Sequence, residues 1–307
     1  MKLQAMEIER DTKYWLVRPG INGRCYEKFY NDSCVAIGWD RIGKIDDEKH
    51  LTSLAELKSI VEVKYQDLLR KKTSLREYKR KISDIATKIY RFTYEVKEGD
   101  IIITPGEDSV LIGRIVGGVE IVQGKYMSNS ENDEEYIGEL NKTRKVVWLK
   151  KIDKYKLEPN IKLELRVVHG LSQILNEQVI TEINRTIYSF YTYNSVGHSI
   201  YKIKSEEAID FTKYAQFISC VNEVYSRVKV NNEALYIRAN INSPGPIELF
   251  GDLKVIESIT KIMHIIFKAS DAERENETRN YEMIQDLREK YKGLNYDDYE
   301  FPNGGQI

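Results

Sequence analysis

The sequence has few of the features that identify a function directly. It contains three cysteines (Cys25, Cys34 and Cys220) in 307 residues, and because the count is odd and no CxxC pair occurs, neither a disulfide framework nor a zinc site is indicated. No apolar run approaches the roughly 18–20 residues of a membrane span. The first residues are too polar and acidic for a signal peptide. We therefore expect a cytoplasmic protein with no membrane partner.

Complete catalytic motifs are missing as well. The four histidines are scattered without HxxxH or HExxH spacing, and no P-loop, GxGxxG or GxSxG sequence occurs. The stretch GDIIITPGED brings Asp100, Glu107 and Asp108 close in sequence, which fits a metal-dependent nuclease only in part, because no lysine follows soon after the second acid. We expect no catalytic residues, no metal and no cofactor, and we keep a divergent metal-dependent nuclease as an alternative.

The chain has enough apolar sequence for two domains. Hydrophobic residues make up 41% and charged residues 31% of its 307 residues, and this length suits two cores. Mixed strand and helix patterns predict an α+β domain over residues 1–155. Residues 156–307 predict a mainly helical domain with one β-hairpin near 234–250 and a charged helix toward the C-terminal end.

One segment concentrates positive charge, although the net charge of the chain is only −1. Residues 58–92 hold eleven Lys/Arg and four Asp/Glu, an excess of seven, and the densest part includes Lys79, Arg80 and Lys81. Cations at this density can neutralise the phosphates of a nucleic acid. The alternative is a solvated helix pair whose charges keep the protein soluble.

Aromatic residues accompany the cations on a predicted helix. An apolar stripe with helical spacing should face a core and consists of Ile82, Ile85, Ile89 and Phe92. Tyr90 and Tyr94 share one flank of this helix, and Arg91 points away from the stripe. Such a helix can stack a base and hold a phosphate, or its tyrosines can simply cover the edge of a core.

Two strand residues, Trp39 and Arg114, allow two interpretations each. Trp39 shares a strand face with Val35 and Ile37, which favours a core position, although its place at the strand end beside Asp40 leaves a rim position open. Arg114 falls on an otherwise apolar strand face. A buried arginine needs a partner or a ligand, unless the strand twists out and Arg114 meets solvent or a carboxylate such as Asp100.

Five stretches of the first half occur in an order that resembles the PUA-like superfamily, and more specifically the EVE-type domains of restriction-associated proteins, including McrB-type and Mrr-type systems. They are YWLVRPGINGR, VAIGWD, KIYRFTYEVKEGDIIITP, VLIGRIVG and RKVVWL, and they span about residues 13–152. The resemblance implies a small curved, barrel-like sheet with flanking helices. It also implies nucleic-acid binding, in several members through an aromatic-lined pocket for a flipped, modified base.

The resemblance further implies roles for individual residues. Those that would line or support the pocket, or lie at its mouth, are Trp15, Trp39, Tyr90 and Arg91. Those that would supply polar contacts are Arg18, Asp40 and Arg114. Stacking and hydrogen bonds at such a site must offset the few kcal/mol that base flipping costs. The negative charge of the acidic loop at 124–142 would repel duplex DNA if the loop borders the site. The bound molecule could then be a single strand, an RNA or a nucleotide-sized ligand.

The sequence thus predicts a non-enzymatic reader that binds DNA or RNA at a modified or flipped-out base, in a restriction or antiphage defence setting implied by the resemblance. We expect the second half to form a homo-oligomer or to dock a separate effector protein. Besides the nuclease, a further alternative is an interaction scaffold without nucleic-acid affinity.

Overall fold

The fold consists of two compact units that are described separately below. The N-terminal unit is Thr12–Ile183, and the C-terminal unit combines Asn184–Ile307 with Met1–Asp11. The computed structural model describes residues 4–43, 53–69, 74–126, 139–167, 169–203, 210–229, 234–239, 246–267, 281–294 and 299–302. Within these ranges, none of the helices combines the length and the apolar character needed to cross a membrane.

Strands and helices are mixed throughout the described part of the chain. The strands are β1 (Met6–Glu7), β2 (Tyr14–Val17), β3 (Cys34–Ile37), β4 (Ile101–Pro105), β5 (Ser109–Ile121), β6 (Lys142–Asp153), β7 (Leu171–Ile174), β8 (Phe190–Tyr193), β9 (Val196–Ile203), β10 (Leu235–Ala239), β11 (Pro246–Asp252) and β12 (Tyr299–Glu300). The helices are α1 (Tyr26–Asn31), α2 (Leu54–Leu69), α3 (Leu75–Tyr90), α4 (Pro159–Glu164), α5 (Glu177–Ile187), α6 (Phe211–Val228), α7 (Leu253–Phe267) and α8 (Tyr281–Lys290). The mixed α+β class predicted from the sequence is therefore confirmed.

The N-terminal unit is built on a six-stranded sheet with the order β3-β6-β5-β4-β2-β7. The two long strands β5 and β6 pair antiparallel, and their register shifts between Ile112 and Gly113 and again between Ile115 and Val119. Irregularities of this kind bend a strand and increase its twist. The sheet accordingly curls into a half-barrel with helices packed on it.

Gly113 is required where β5 meets β6. A Cβ atom at this position would lie 2.4 Å from Cγ1 of Val146 and 2.7 Å from Cε3 of Trp148. Both neighbours belong to β6, so any side chain at Gly113 would force the two strands apart. The glycine lets the indole of Trp148 lie close to the backbone of β5.

The core of the N-terminal unit is anchored by a buried carboxylate. Trp15 has no exposed surface, and its indole Nε1 donates a 2.8 Å hydrogen bond to Oδ2 of Asp100. The same carboxylate accepts the backbone N–H of Lys13 at 3.0 Å and that of Lys97 at 2.9 Å. Because Lys13 and Trp15 border or belong to β2, while Asp100 directly precedes β4, these bonds join the two parallel strands at one end.

The C-terminal unit differs from the mainly helical domain that the sequence predicted. Its sheet also has six strands, in the order β1-β8-β9-β11-β10 with β12 beside β9. The predicted hairpin is present as β10 and β11, but β8 and β9 form a second one around Asn194 and Ser195, whose φ angles of 51° and 66° suit a two-residue turn. Helices α6 and α7 pack on this sheet, and α8 packs against α6 and α7.

The boundary between the units also differs from the one expected after residue 155. The N-terminal unit continues to Ile183 because β7 pairs antiparallel with β2 and so extends the first sheet. Conversely, β1 pairs in parallel with β8 of the C-terminal unit, with Met6 opposite Tyr191. Part of the charged helical tail predicted from the sequence is α8, whereas residues 268–280 lie outside the described ranges.

Replacing Asp100 by alanine should destabilise the N-terminal unit by about 2–4 kcal/mol, because three N–H donors, that of Trp15 fully buried, lose their acceptor. Chemical denaturation followed by tryptophan fluorescence measures this loss. The control is Asp108→Ala, since this carboxylate is exposed and its removal should change stability by less than about 0.5 kcal/mol. Equal effects of the two substitutions would contradict the anchoring role of Asp100.

Candidate nucleic-acid interface

Helix α3 begins at a well-formed cap and buries the side that its periodicity predicts. The Ser74 hydroxyl accepts the N–H of Glu77, whose carboxylate in turn accepts the N–H of Ser74, which completes a capping box. The buried residues of the helix are Tyr78, Ile82, Ala86 and Ile89, with Ile85 partly buried beside them. The opposite side of α3 is left to solvent.

The solvent side of α3 carries most of the described positive charge in the basic segment. This helix has five cations and two carboxylates, Glu77 and Asp84, a net charge of +3. Helix α2 has two lysines and three carboxylates, a net charge of −1. Lys79, Arg80 and Lys81 are all exposed. Arg70, Lys71 and Lys72, which also belong to the segment, lie outside the described residues.

A π-helical turn, Arg91–Glu95, follows α3 directly. It is held by the buried guanidinium of Arg144 on β6, which donates to the carbonyl of Phe92 at 2.9 Å and to that of Thr93 at 3.0 Å. A third bond reaches the carbonyl of Gly117 at 2.9 Å. Burial lowers the pKa of Arg144, while the charges of nearby carboxylates oppose the shift. The turn is therefore fixed to the sheet by one side chain.

The tyrosine pair predicted from the sequence lies at this turn. The rings of Tyr90 and Tyr94 have centroids 5.0 Å apart and planes tilted by 56°, and both side chains are half-buried. Tyr90 also packs against the core. The neighbouring Arg91 is 41% exposed, with its Nε 3.6 Å from a carboxylate oxygen of Glu95. Aromatic rings and a cation thus meet at the C-terminal end of α3.

Trp39 lies in a strained turn beside α3. Its φ angle is +68°, a left-handed value that is uncommon for a large side chain. The turn closes with a 3.1 Å hydrogen bond from the N–H of Ile42 to the carbonyl of Trp39. The indole is 8% exposed and belongs to the core, and Nζ of Lys88 lies 5.7 Å from the ring centroid. The core position favoured from the sequence is therefore confirmed, although Trp39 lies in the turn after β3 and not on the strand, and little of its ring faces solvent.

A fully buried lysine that the sequence reasoning missed holds this turn. Nζ of Lys142 donates to the carbonyl of Trp39 at 2.9 Å, to that of Ile42 at 2.7 Å and to Oδ1 of Asn141 at 3.0 Å. Burial lowers the pKa of Lys142 to about 8, against the opposing charge of Asp40. A signal existed in the stretch NKTRKVV, where Lys142 and Arg144 fall on the same face of a predicted strand.

The remaining predicted site residues do not lie together at the end of α3 and the Trp39 turn. Trp15 lies in the core. The guanidinium of Arg18 donates to the carbonyl of Leu165 at 2.5 Å and to that of Val167 at 2.6 and 2.9 Å. Arg114 is half-buried on β5, and Val116 beyond it is 46% exposed, so this strand face turns toward solvent as the second interpretation of Arg114 required.

Asp40 contributes hydrogen bonds beside the turn. Its Oδ1 lies 3.5 Å from the hydroxyl of Tyr65, and its Oδ2 accepts the N–H of Glu139 at 3.4 Å. Residues 127–138, which hold most of the acidic loop expected to border the site, lie outside the described ranges.

The structure separates the carboxylates of the nuclease alternative. Asp100 precedes β4, whereas Glu107 and Asp108 follow it, so the strand of five residues holds them more than about 15 Å apart. The carboxylate of Asp100 is also occupied by three N–H donors. In the described part of the chain, no group of three or more His, Cys, Asp or Glu side chains is arranged to hold a metal ion.

Comparison with known proteins identifies a family without an assigned activity. Residues 15–172 match a family model with the description "Domain of unknown function (DUF8426)". The match runs from β2 into β7 and so contains α3, the tyrosine pair and the buried cations of β6. No curated protein matches the chain.

The buried Lys142 should make stability depend on pH above neutrality. Between pH 8 and 10.5 the folded chain has released this proton while the unfolded chain, with an ordinary lysine pKa of 10.5, still binds it. The free energy of unfolding therefore rises with pH in this window, by about 1–3 kcal/mol from pH 8 to 10. Urea titrations at several pH values measure the free energy of unfolding. Its increase from pH 8 to 10 should be seen in the wild type and be absent from Lys142→Met.

Lys145→Met provides the matched control, because this lysine lies on the same strand with 67% of its side chain exposed. Its removal should leave the pH dependence of the wild type unchanged. The assignment to Lys142 fails if the pH dependence survives in Lys142→Met.

Proposed function

Because the chain belongs to the DUF8426 family, whose function is unknown, we propose a function from the surface of the matched unit: it is a nucleic-acid-binding reader. The cations of α3 contact the phosphates of DNA or RNA, and the tyrosine pair at the end of the helix stacks a base. The observation that carries this proposal is the presence of exposed cations on α3 and of a half-exposed aromatic pair at its end and in the turn that follows.

Among the cations of α3 and of the turn that follows it, two form ion pairs and three neighbouring ones on α3 do not. Lys88 pairs with Asp84 at 2.6 Å and Arg91 with Glu95 at 3.6 Å. By contrast, the cations at positions 79–81 form no ion pair with any other described residue. Unpaired surface cations are the ones that gain most from a phosphate, because binding releases condensed counterions at no cost in broken ion pairs. The N-terminal half of α3 is therefore the phosphate contact in this proposal.

The spacing along the helix suits a bound strand. From Lys81 to Tyr90 the helix advances about 14 Å, at 1.5 Å per residue. A backbone lying along α3 can contact the cations while one of its bases reaches the tyrosines. Base–aromatic stacking accepts any base, so selectivity for a modified base would come from polar groups near the rings.

Trp39 has a supporting role in this proposal. Its buried indole lies under Lys88, and its backbone is fixed by Lys142. Arg144 fixes the π-helical turn in the same way. Rigid support of this kind lowers the entropy that side chains lose when a ligand binds. The binding surface is then α3 and its final turn, with the strained Trp39 turn behind it.

The finer form of the proposal is that the N-terminal unit is a PUA-like, EVE-type domain that accepts a modified or flipped-out base. A curled half-barrel sheet with flanking helices is compatible with that fold. The restriction or antiphage setting and a separate effector protein follow from the same resemblance, and the cytoplasmic location stays an expectation from the sequence. An interaction scaffold is the alternative, and it predicts no salt-sensitive affinity for any nucleic acid.

Removing the unpaired cations should weaken binding to all sequences alike. We expect the triple variant Lys79→Ala, Arg80→Ala, Lys81→Ala to lower affinity and to reduce the slope of log K against log salt by about 2–3, since up to three phosphate contacts are lost. Fluorescence anisotropy with single- and double-stranded DNA and RNA, each with and without methylated bases, measures both quantities.

The matched control removes three lysines from another part of the same unit: Lys154→Ala, Lys156→Ala and Lys162→Ala. The formal charge changes equally, so only a loss specific to α3 supports the proposal. If the wild-type protein binds none of these nucleic acids in low salt, the reader proposal is wrong.

The tyrosine pair should contribute by stacking. Tyr90→Ala is expected to weaken binding of a single-stranded oligonucleotide by about 1–3 kcal/mol, the range for loss of one stacked base. Tyr90→Phe keeps the ring and should bind within about threefold of the wild type. Thermal unfolding of both variants separates this effect from loss of folding, because Tyr90 also contacts the core. Unchanged affinity in a folded Tyr90→Ala variant would rule out stacking at this site.

A further inference from the structure

Four aromatic rings form a continuous row across the sheet of the C-terminal unit, one on each of four neighbouring strands. Tyr191 on β8 lies opposite His198 on β9, His198 opposite Phe250 on β11, and Phe250 opposite Tyr236 on β10. The centroids are 4.5, 5.9 and 5.3 Å apart and the planes are inclined by 3°, 10° and 23°. The rings therefore stack along the direction in which the strands are hydrogen bonded.

A buried carboxylate beside the row fixes it in place. Glu248, 1% exposed, lies 2.7 Å from Nδ1 of His198, 2.6 Å from a guanidinium nitrogen of Arg238 and 3.4 Å from one of Arg185. Burial raises the pKa of Glu248, but the hydrogen bond from His198 and the charge of Arg238 outweigh it and lower the pKa overall. Arg238 also lies 5.0 Å from the ring centroid of Phe250.

The row is open at β10, which ends the described sheet. Three consecutive large side chains of this strand are exposed: Tyr236 by 56%, Ile237 by 48% and Arg238 by 46%. Tyr236 and Arg238 share the face of the ring row. Ile237 is on the opposite face, because it lies opposite Leu249 of the core. An edge strand with exposed large side chains on both faces is a template for another strand.

We propose that β10 pairs antiparallel with β10 of a second copy of this chain, with Ile237 of each copy opposite the other. In this register Tyr236 lies opposite Arg238 of the second copy, and the same pair forms again by symmetry. The guanidinium then adds a cation–π contact at the open end of the ring row. A register with Arg238 opposite Arg238 would set like charges against each other, so the Ile237-centred register is the complementary one.

A second copy of the chain would cover more of the exposed groups of β10 than a stacked nucleobase would. A base on the outer face of Tyr236 would leave Ile237, on the other face of the sheet, uncovered. It would also leave the outer N–H and C=O groups of the edge strand without partners from a protein strand. Self-pairing satisfies these groups and covers Ile237 at the same time. The proposal is independent of nucleic-acid binding by the N-terminal unit.

The test compares two substitutions at one position. Tyr236→Lys sets a like charge opposite Arg238 of the second copy, whereas Tyr236→Glu sets an opposite charge there, and both remove the same ring. We expect the dimer dissociation constant of the lysine variant to be about tenfold higher than that of the glutamate variant, since two symmetric pairs change. Sedimentation equilibrium with the full chain measures both constants.

Two further variants complete the experiment. Ile237→Lys should abolish the dimer, while Phe211→Lys, an equally drastic change at an 81% exposed position on α6, should leave it intact. Circular dichroism checks that each variant is folded.

Three outcomes would overturn the proposal. One is a wild-type chain that stays monomeric up to about 0.1 mM, and another is a dimer that survives Ile237→Lys. The third is a monomer in which the amides of β10 become protected from hydrogen exchange only when an oligonucleotide is added, which would place a base at the open end of the row.

Discussion

Two buried cations on β6 hold the proposed binding surface of the N-terminal unit. Lys142 bonds the turn that contains Trp39, and Arg144 bonds the turn that follows α3. Each satisfies backbone carbonyls that would otherwise be buried without partners, at the cost of removing a charge from water. Since both side chains rise from the same face of one strand, the two turns are fixed relative to each other by the geometry of β6.

The parts of the site that sequence could predict are those set by local periodicity. The apolar stripe with helical spacing predicted the buried side of α3, and the same spacing predicted that Tyr90 and Tyr94 lie together. The apolar pattern of β3 also indicated the core position of Trp39, which lies just after the strand. Each of these depends on side chains within one or two turns or one strand, where the direction of the Cβ atoms decides what a residue faces.

Local periodicity could not predict which distant strands pair or which charged side chains are buried. Lysine is almost never fully buried, so the alternation of Lys142 with Arg144 was too weak a signal to indicate an ammonium group that serves three acceptors inside the fold. The pairing of β7 with β2 joins segments about 155 residues apart, and no local pattern reports it. The strands β8 and β9 were missed because residues 156–307 were predicted to be mainly helical with one hairpin near 234–250, and the Asn194–Ser195 turn was not recognised.

The pairing of β1 with β8 has a consequence for synthesis on the ribosome. Residues 6 and 7 find their partners about 185 positions later, at 191 and 192, with the whole N-terminal unit between them. At a translation rate of about 5–20 residues per second, β1 emerges roughly 10–40 s before β8 exists. During that interval the N-terminal unit can complete its own fold, so the sheet of the C-terminal unit is completed only after the N-terminal unit has had time to fold. The strand β1 therefore stays unpaired until β8 is synthesised, and the pairing of these two residues with β8 makes the C-terminal unit the later one to complete its fold.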